Sequence, residues 1–142
     1  MGRAHPGPFT ILVIDDDLDI LETITDLLAM DGHRALATSG GADGLTQARS
    51  ERPDLILVDY HMPVMDGLAV VERLKADAAT RQIPVVALTG GTAEHANKLS
   101  RAGCIGFIPK PFDPATFLRL VAGFLNETVG RSRRINDARP GL

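Results

Sequence analysis

Asp59 closes the apolar run Leu55-Ile56-Leu57-Val58 and precedes Tyr60-His61-Met62-Pro63-Val64-Met65-Asp66-Gly67, which sets one carboxylate at the mouth of a buried strand. Asp15 and Asp16 close a second apolar run, Phe9 to Ile14, and Thr89 and Lys110 close two more. Four hydrophobic strands that each end in a polar side chain describe a site. Three carboxylates gathered there repel one another: at ~5 Å and an effective dielectric of ~20, each pair costs about 3 kcal/mol. Positive charge must therefore accompany them. Lys110 supplies one charge, and a hard divalent ion on oxygen ligands supplies two more. Mg²⁺ suits the task, because it keeps several waters and commonly joins one or two carboxylates to a phosphate. The chemistry this set can do is phosphoryl transfer. Asp59 would be the nucleophile that forms an acyl phosphate, Lys110 and the metal would balance charge on the phosphoryl oxygens, and Thr89 would donate a hydrogen bond to one of them.

The elements that must position these groups follow from the hydrophobic pattern. Phe9 to Ile14 reads as a strand, and Leu18, Leu21, Ile24, Leu27 and Leu28 then recur at helical spacing. Asp17, directly before that helix, reads as its N-cap, and Asp31-Gly32 ends it, with Gly32 suited to the left-handed C′ position. A weaker strand spans Arg34 to Thr38, followed by a short helix with Ala42, Leu45 and Ala48 on one face. Leu55 to Val58 is the third strand, Leu68, Val71 and Leu74 mark a third helix after Gly67 running to about Ala76, and Val85 to Leu88 is the fourth strand. A helix from about Ala93 to Ala102 leads to a fifth strand, Cys104 to Ile108. The last helix begins after Asp113-Pro114, a capping carboxylate followed by a proline at the first helical position. Five strand-then-helix units predict a five-stranded parallel α/β sheet with helices on both faces, a doubly wound (βα)5 flavodoxin-like fold, because parallel connections must cross over. In such sheets ligands bind beyond the carboxyl ends of the strands, where Asp15, Asp16, Asp59, Thr89 and Lys110 all lie.

With 142 residues, 44% hydrophobic and 23% charged, the chain is expected to form one soluble domain with an aliphatic core, since aromatic residues make up only 4%. A formal net charge of −3 provides no general attraction to nucleic acid or to an anionic membrane. The stretch Met1 to Pro8 has no apolar core of a secretory signal, and no run approaches the ~18 apolar residues of a membrane span. Cys104, the single cysteine, rules out an intrachain disulfide and fits a reducing, cytoplasmic setting as a small buried core residue. The four histidines, His5, His33, His61 and His95, have no close ligand-like spacing, which argues against zinc. Residues 1–8 read as an N-terminal extension, 9–126 as the domain, and 127–142, with Arg131, Arg133, Arg134 and Arg139, as a disordered basic tail.

The motifs Ile11-Leu12-Val13-Ile14-Asp15-Asp16-Asp17, Asp59 to Gly67, Ala87-Leu88-Thr89-Gly90 and Gly106-Phe107-Ile108-Pro109-Lys110-Pro111-Phe112 stand in this order. With them the chain resembles the receiver domain of bacterial two-component response regulators, in the layout of the chemotaxis regulator and of stand-alone cell-division regulators. The resemblance spans about Thr10 to Asn126. It implies that Asp59 accepts a phosphoryl group from a histidine kinase or a histidine phosphotransfer protein, and that Asp15, Asp16, Asp59 and the backbone carbonyl of His61 hold Mg²⁺. It further implies that Thr89 moves toward the phosphoryl group, that Phe107 follows as the switch aromatic, and that Lys110 pairs with the phosphate and precedes a cis proline. The output would be phosphorylation-gated binding of another protein through the face of the fourth helix, fifth strand and fifth helix, by a monomer or weak dimer. Such a module binds neither nucleic acid nor membrane, and catalyses only its own aspartyl phosphorylation and dephosphorylation, so it is no enzyme toward other substrates. Gly90 stands where the family often has alanine, which leaves phosphoryl access open and loosens the loop. Phe107, unlike a tyrosine, has no hydroxyl for a partner. Two alternatives remain. One is a phosphorelay intermediate or phosphate sink without conformational output. The other is an Mg-dependent aspartyl phosphatase of the haloacid dehalogenase kind, against which Asp15-Asp16-Asp17-Leu18-Asp19 lacks the required final Thr or Val.

Overall fold

The computed structural model describes residues 8–137. Five strands alternate with five helices: β1 (Thr10–Ile14), α1 (Leu18–Met30), β2 (Arg34–Thr38), α2 (Gly41–Glu51), β3 (Leu55–Asp59), α3 (Gly67–Ala76), β4 (Val85–Thr89), α4 (Ala93–Ala102), β5 (Gly106–Pro109) and α5 (Pro114–Asp137). All strand pairs are parallel, in the order β2-β1-β3-β4-β5. The chain steps from β1 outward to β2 and then back past β1 to β3, so the order reverses between β1 and β3. That reversal is where doubly wound sheets open a crevice at their carboxyl ends.

The period-2 alternation of the strands divides the core in two. Ile11, Val13, Leu55, Leu57, Val86, Leu88 and Ile108 face one side, where α1 brings Leu21, Ile24 and Leu28 and α5 brings Phe117, Val121 and Leu125. Leu12, Ile14, Ile56, Val58, Val85 and Ala87 face the other, against Ala48 of α2, Val70, Val71 and Leu74 of α3, and Leu99 of α4. Each fully buried aliphatic side chain contributes roughly 1.5–3 kcal/mol, and β1, β3 and β4 are buried on both faces, as their continuous apolar runs require.

Local signals set the helix ends. The Asp17 carboxylate accepts from the N–H groups of Asp19 and Ile20 at the start of α1, and Gly32 takes φ 88° after its end. Asp113 Oδ1 accepts from Thr116 N at 3.2 Å at the start of α5. Two boundaries differ from the sequence reading by more than one residue. β5 begins at Gly106 rather than Cys104, because the Cys104 N–H turns back to Leu99 O at 3.0 Å and helps close the end of α4. The fifth helix does not stop near Asn126 but continues to Asp137, so residues 127–137 are helical where an irregular tail is expected. No proline follows Pro114 until Pro140, so nothing breaks the helix there, and a nucleated helix extends without the cost of a new nucleus. Residues 1–7 and 138–142, with most of the expected extension and Arg139, lie outside the described residues. No helix among the described residues is long and apolar enough to cross a membrane.

Candidate functional site

Asp15 and Asp59 arrive at the same place because β1 and β3 are neighbours in register, with Ile14 beside Val58. Asp15 is fully buried and Asp59 is 5% exposed, whereas Asp16 turns outward to solvent. Carboxylate oxygens of Asp15, Asp16 and Asp59 lie within 4.8 Å of one another. The Lys110 ammonium enters from the end of β5 and donates to Asp59 Oδ1 at 2.9 Å and to Asp15 Oδ2 at 3.0 Å. Its own backbone N–H is fixed by Thr89 O at 3.0 Å, and the Lys110–Pro111 peptide is cis, as expected. The other Asp15 oxygen accepts from the Asp17 N–H at 3.0 Å. The three carboxylates and the lysine predicted to share a site therefore meet.

The segment after Asp59 is held tightly. Gly67 N donates to Tyr60 O at 2.8 Å, and a side chain at Gly67 would collide with the Asp59 carbonyl oxygen and Tyr60 Cα. Only glycine lets the first turn of α3 close over the acceptor strand. Asp66 caps that helix by accepting from Ala69 N at 2.9 Å. Between them Val64 takes φ 67° while fully exposed.

Burial pushes the Asp59 carboxyl above its ordinary range. Lys110 opposes that shift, and the charges of Asp15 and Asp16 reinforce it. Desolvation alone would lower the Lys110 ammonium, yet its hydrogen bonds and charge pairing with Asp59 and Asp15 raise it instead. Lys110 is thus a fixed cation, and one ammonium faces three carboxylates. A raised acid in a cluster with surplus negative charge, lined only by hard oxygen donors, matches what a divalent cation such as Mg²⁺ requires.

Thr89 is buried at the end of β4, and its Oγ1 accepts from Gly91 N at 2.8 Å. Phe107, on β5, is half-buried and packs against the second core cluster. His61 is exposed just beyond Asp59. The structure also brings in a residue that chain spacing conceals. His95, in the first turn of α4, stacks on Tyr60 with ring centroids 4.3 Å apart, and its centroid lies 5.6 Å from that of His61. The signal available was the adjacency of the β3 and β4 ends rather than any histidine motif.

The model of the response regulator receiver domain family matches residues 11–122. The polar-differentiation response regulator DivK of Brucella anthropi is 31% identical over 121 residues, covering 84% of this chain and 98% of DivK. The chemotaxis response regulator CheY4 of Vibrio cholerae superposes with a TM-score of 0.77 at 28% identity, over 81% of this chain and 97% of that one. The receiver domain of the sensor histidine kinase PA1611 from Pseudomonas aeruginosa, described with a magnesium ion coordinated in its active site cleft, superposes with a TM-score of 0.76 at 26% identity, over 84% and 98% of the two chains.

Proposed function

Because this chain belongs to the response regulator receiver domain family, we propose that it is a stand-alone receiver that takes a phosphoryl group onto Asp59 from a phosphohistidine donor and signals by phosphorylation-gated protein binding. The observation that carries this reading is the Lys110 ammonium joining the Asp59 and Asp15 carboxylates at the carboxyl end of the central strands. Lys110 takes one oxygen of Asp59 and leaves the other for the bond to phosphorus. In the transfer that oxygen attacks phosphorus, the bond from phosphorus to the donor imidazole nitrogen breaks, and its electron pair stays on the imidazole. Asp15, Asp16 and Asp59, with the His61 carbonyl, would hold Mg²⁺, which supplies charge neutralisation at the phosphoryl oxygens.

The chain's own residues do the remainder. Lys110 keeps its proton and its charge beside the transferred group. Thr89 exchanges the Gly91 N–H for a phosphoryl oxygen, to which its hydroxyl donates. The half-buried Phe107 ring turns inward as Thr89 moves, which alters the face built from α4, β5 and α5 and with it the affinity for an output protein. Couplings of ~1–3 kcal/mol suffice for several-fold changes in binding. On this reading the protein turns over no substrate beyond its own acyl phosphate, and it works in the cytoplasm.

Intact-protein mass spectrometry after incubation with acetyl phosphate tests the proposal. Wild type should gain a single phosphoryl mass only with Mg²⁺ present, and Asp59→Asn should gain none while remaining folded. An Asp59→Asn variant that still formed an acyl phosphate would remove Asp59 from the role.

A further inference from the structure

The mechanism above leaves unused the side chains of the two aromatic residues that follow the phosphoacceptor in the chain. Tyr60 and His61 follow Asp59 directly, and His95 reaches them from the first turn of α4. The Tyr60 and His95 rings stack at 4.3 Å with 18° between their planes. His61 stands edge-on to both, 4.9 Å from Tyr60 and 5.6 Å from His95 between centroids. Offset or stacked rings at such distances attract beyond their area of contact. His95 Nδ1 is buried without a hydrogen-bond partner among the described residues, so ring packing rather than a polar contact holds it there. The same nitrogen and Thr89 Oγ1 border the space a Gly91 side chain would fill, at 2.5 and 2.9 Å from its Cβ. Glycine at 91 is what allows the imidazole to lie beside the threonine hydroxyl. The rings thus run continuously from the residue after Asp59 to the end of β4.

We infer that His95 is a positioning residue for the phosphorylated state: stacked on Tyr60 and packed on His61, it walls the β3–β4 side of the site against water and so sets the lifetime of the acyl phosphate. This rests on the reading of Asp59 as phosphoacceptor. Loss of the group is hydrolysis, in which a water oxygen bonds to phosphorus, the bond from phosphorus to the Asp59 oxygen breaks, and that oxygen keeps the electron pair. The water's protons pass to the released phosphate and to solvent. The wall acts on the first requirement, a water with access to phosphorus, and asks no proton transfer of His95.

Wild type, His95→Ala and His95→Phe are loaded with acetyl phosphate and Mg²⁺, desalted, and followed by intact mass. His95→Ala should shorten the lifetime about two- to tenfold, the factor that the loss of one aromatic pair corresponds to, while His95→Phe, which keeps a ring on Tyr60, stays near wild type. Tyr60 is the only tyrosine and the chain has no tryptophan, so tyrosine emission reports on this stack alone. Acrylamide should quench it more strongly in His95→Ala than in the other two, with thermal melts confirming that all three are folded. Equal lifetimes in wild type and His95→Ala overturn the proposal, as does shortening in His95→Phe to the same extent, or quenching that the alanine leaves unchanged. If wild type gains no phosphoryl group, the phosphoacceptor reading fails and this proposal with it. Gain with unaltered lifetimes defeats the proposal alone.

Discussion

Asp59 sits among like charges and out of water, and the folded protein therefore holds its proton more tightly than the unfolded chain does. Between the ordinary value of 3.8 and the raised one, the native state binds more protons than the denatured state. Stability contributed through this group is thus present at low pH and lost as pH rises through the folded value. Asp59→Asn should accordingly melt higher than wild type at about pH 7 in the absence of divalent ions, by a margin that shrinks as pH falls. Melting curves of both proteins between about pH 4.5 and 7 check this, and a margin that grew on acidification would contradict the sign. Adding Mg²⁺ should raise the melting temperature of wild type more than that of the variant, because a ligand stabilises only the state that binds it. Val64 poses the opposite kind of strain. Its φ of 67° is one that a β-branched residue rarely adopts, and its exposed side chain packs against nothing that compensates. Val64→Gly should stabilise by about 1 kcal/mol, read from the denaturant midpoint, since relief of the left-handed strain outweighs the added freedom of the unfolded chain.

Between residues and fold, the elements are joined by a few contacts whose removal has defined costs. Gly67→Ala would drive a methyl into the Asp59 carbonyl, backbone against backbone, so α3 must withdraw from β3. A loss of about 2–3 kcal/mol is expected, together with slower phosphorylation, because the acceptor strand's end shifts with it. Lys75 ties the end of α3 to the following loop by donating to Ile83 O at 2.8 Å and Arg81 O at 3.0 Å. Burial depresses its ammonium below the usual lysine range. Lys75→Met should cost about 1–2 kcal/mol in chemical denaturation by leaving those carbonyls unpaired. The exposed Arg49–Asp77 pair, although shorter at 2.7 Å, should cost well under about 1 kcal/mol, since ion pairs in water contribute little. Nothing in the local sequence distinguishes these two basic residues. Both sit in helical segments with ordinary polar neighbours, and the difference between them arises from which way the neighbouring loop folds.

At the scale of the whole molecule, the alternation of apolar runs with helical spacing was enough to read the sheet, because a strand buried on both faces cannot tolerate polar residues and so announces itself at its ends. Asp15, Asp59 and Thr89 were legible for that reason, each being the first polar residue after such a run, and Lys110 because it ends the shorter apolar run of the edge strand β5. His95 was not, since its place depends on α4 starting beside the β3–α3 segment, a relation between elements with no local trace. The reach of α5 was also illegible, because the sequence loses its apolar helical spacing beyond Asn126 and helix there follows from continuity with a packed segment. Leu125 is the last buried residue of α5 among those up to Thr128, so a chain ending at Thr128 should keep its stability within about 1 kcal/mol and its phosphorylation, while losing helical signal in circular dichroism. The strand order carries one more implication. Asp15 follows β1 and Asp59 ends β3, both interior strands, whereas Lys110 follows β5, an edge strand of which only Ile108 is fully buried. Amide hydrogens of β1 and β3 should exchange with solvent only through complete unfolding, and those of β5 and the β4–α4 connection through smaller, more frequent openings. One half of the charge cluster is thereby anchored to the last part of the molecule to open and the other half to one of the first, so the lysine can leave and return while the acids stay in place.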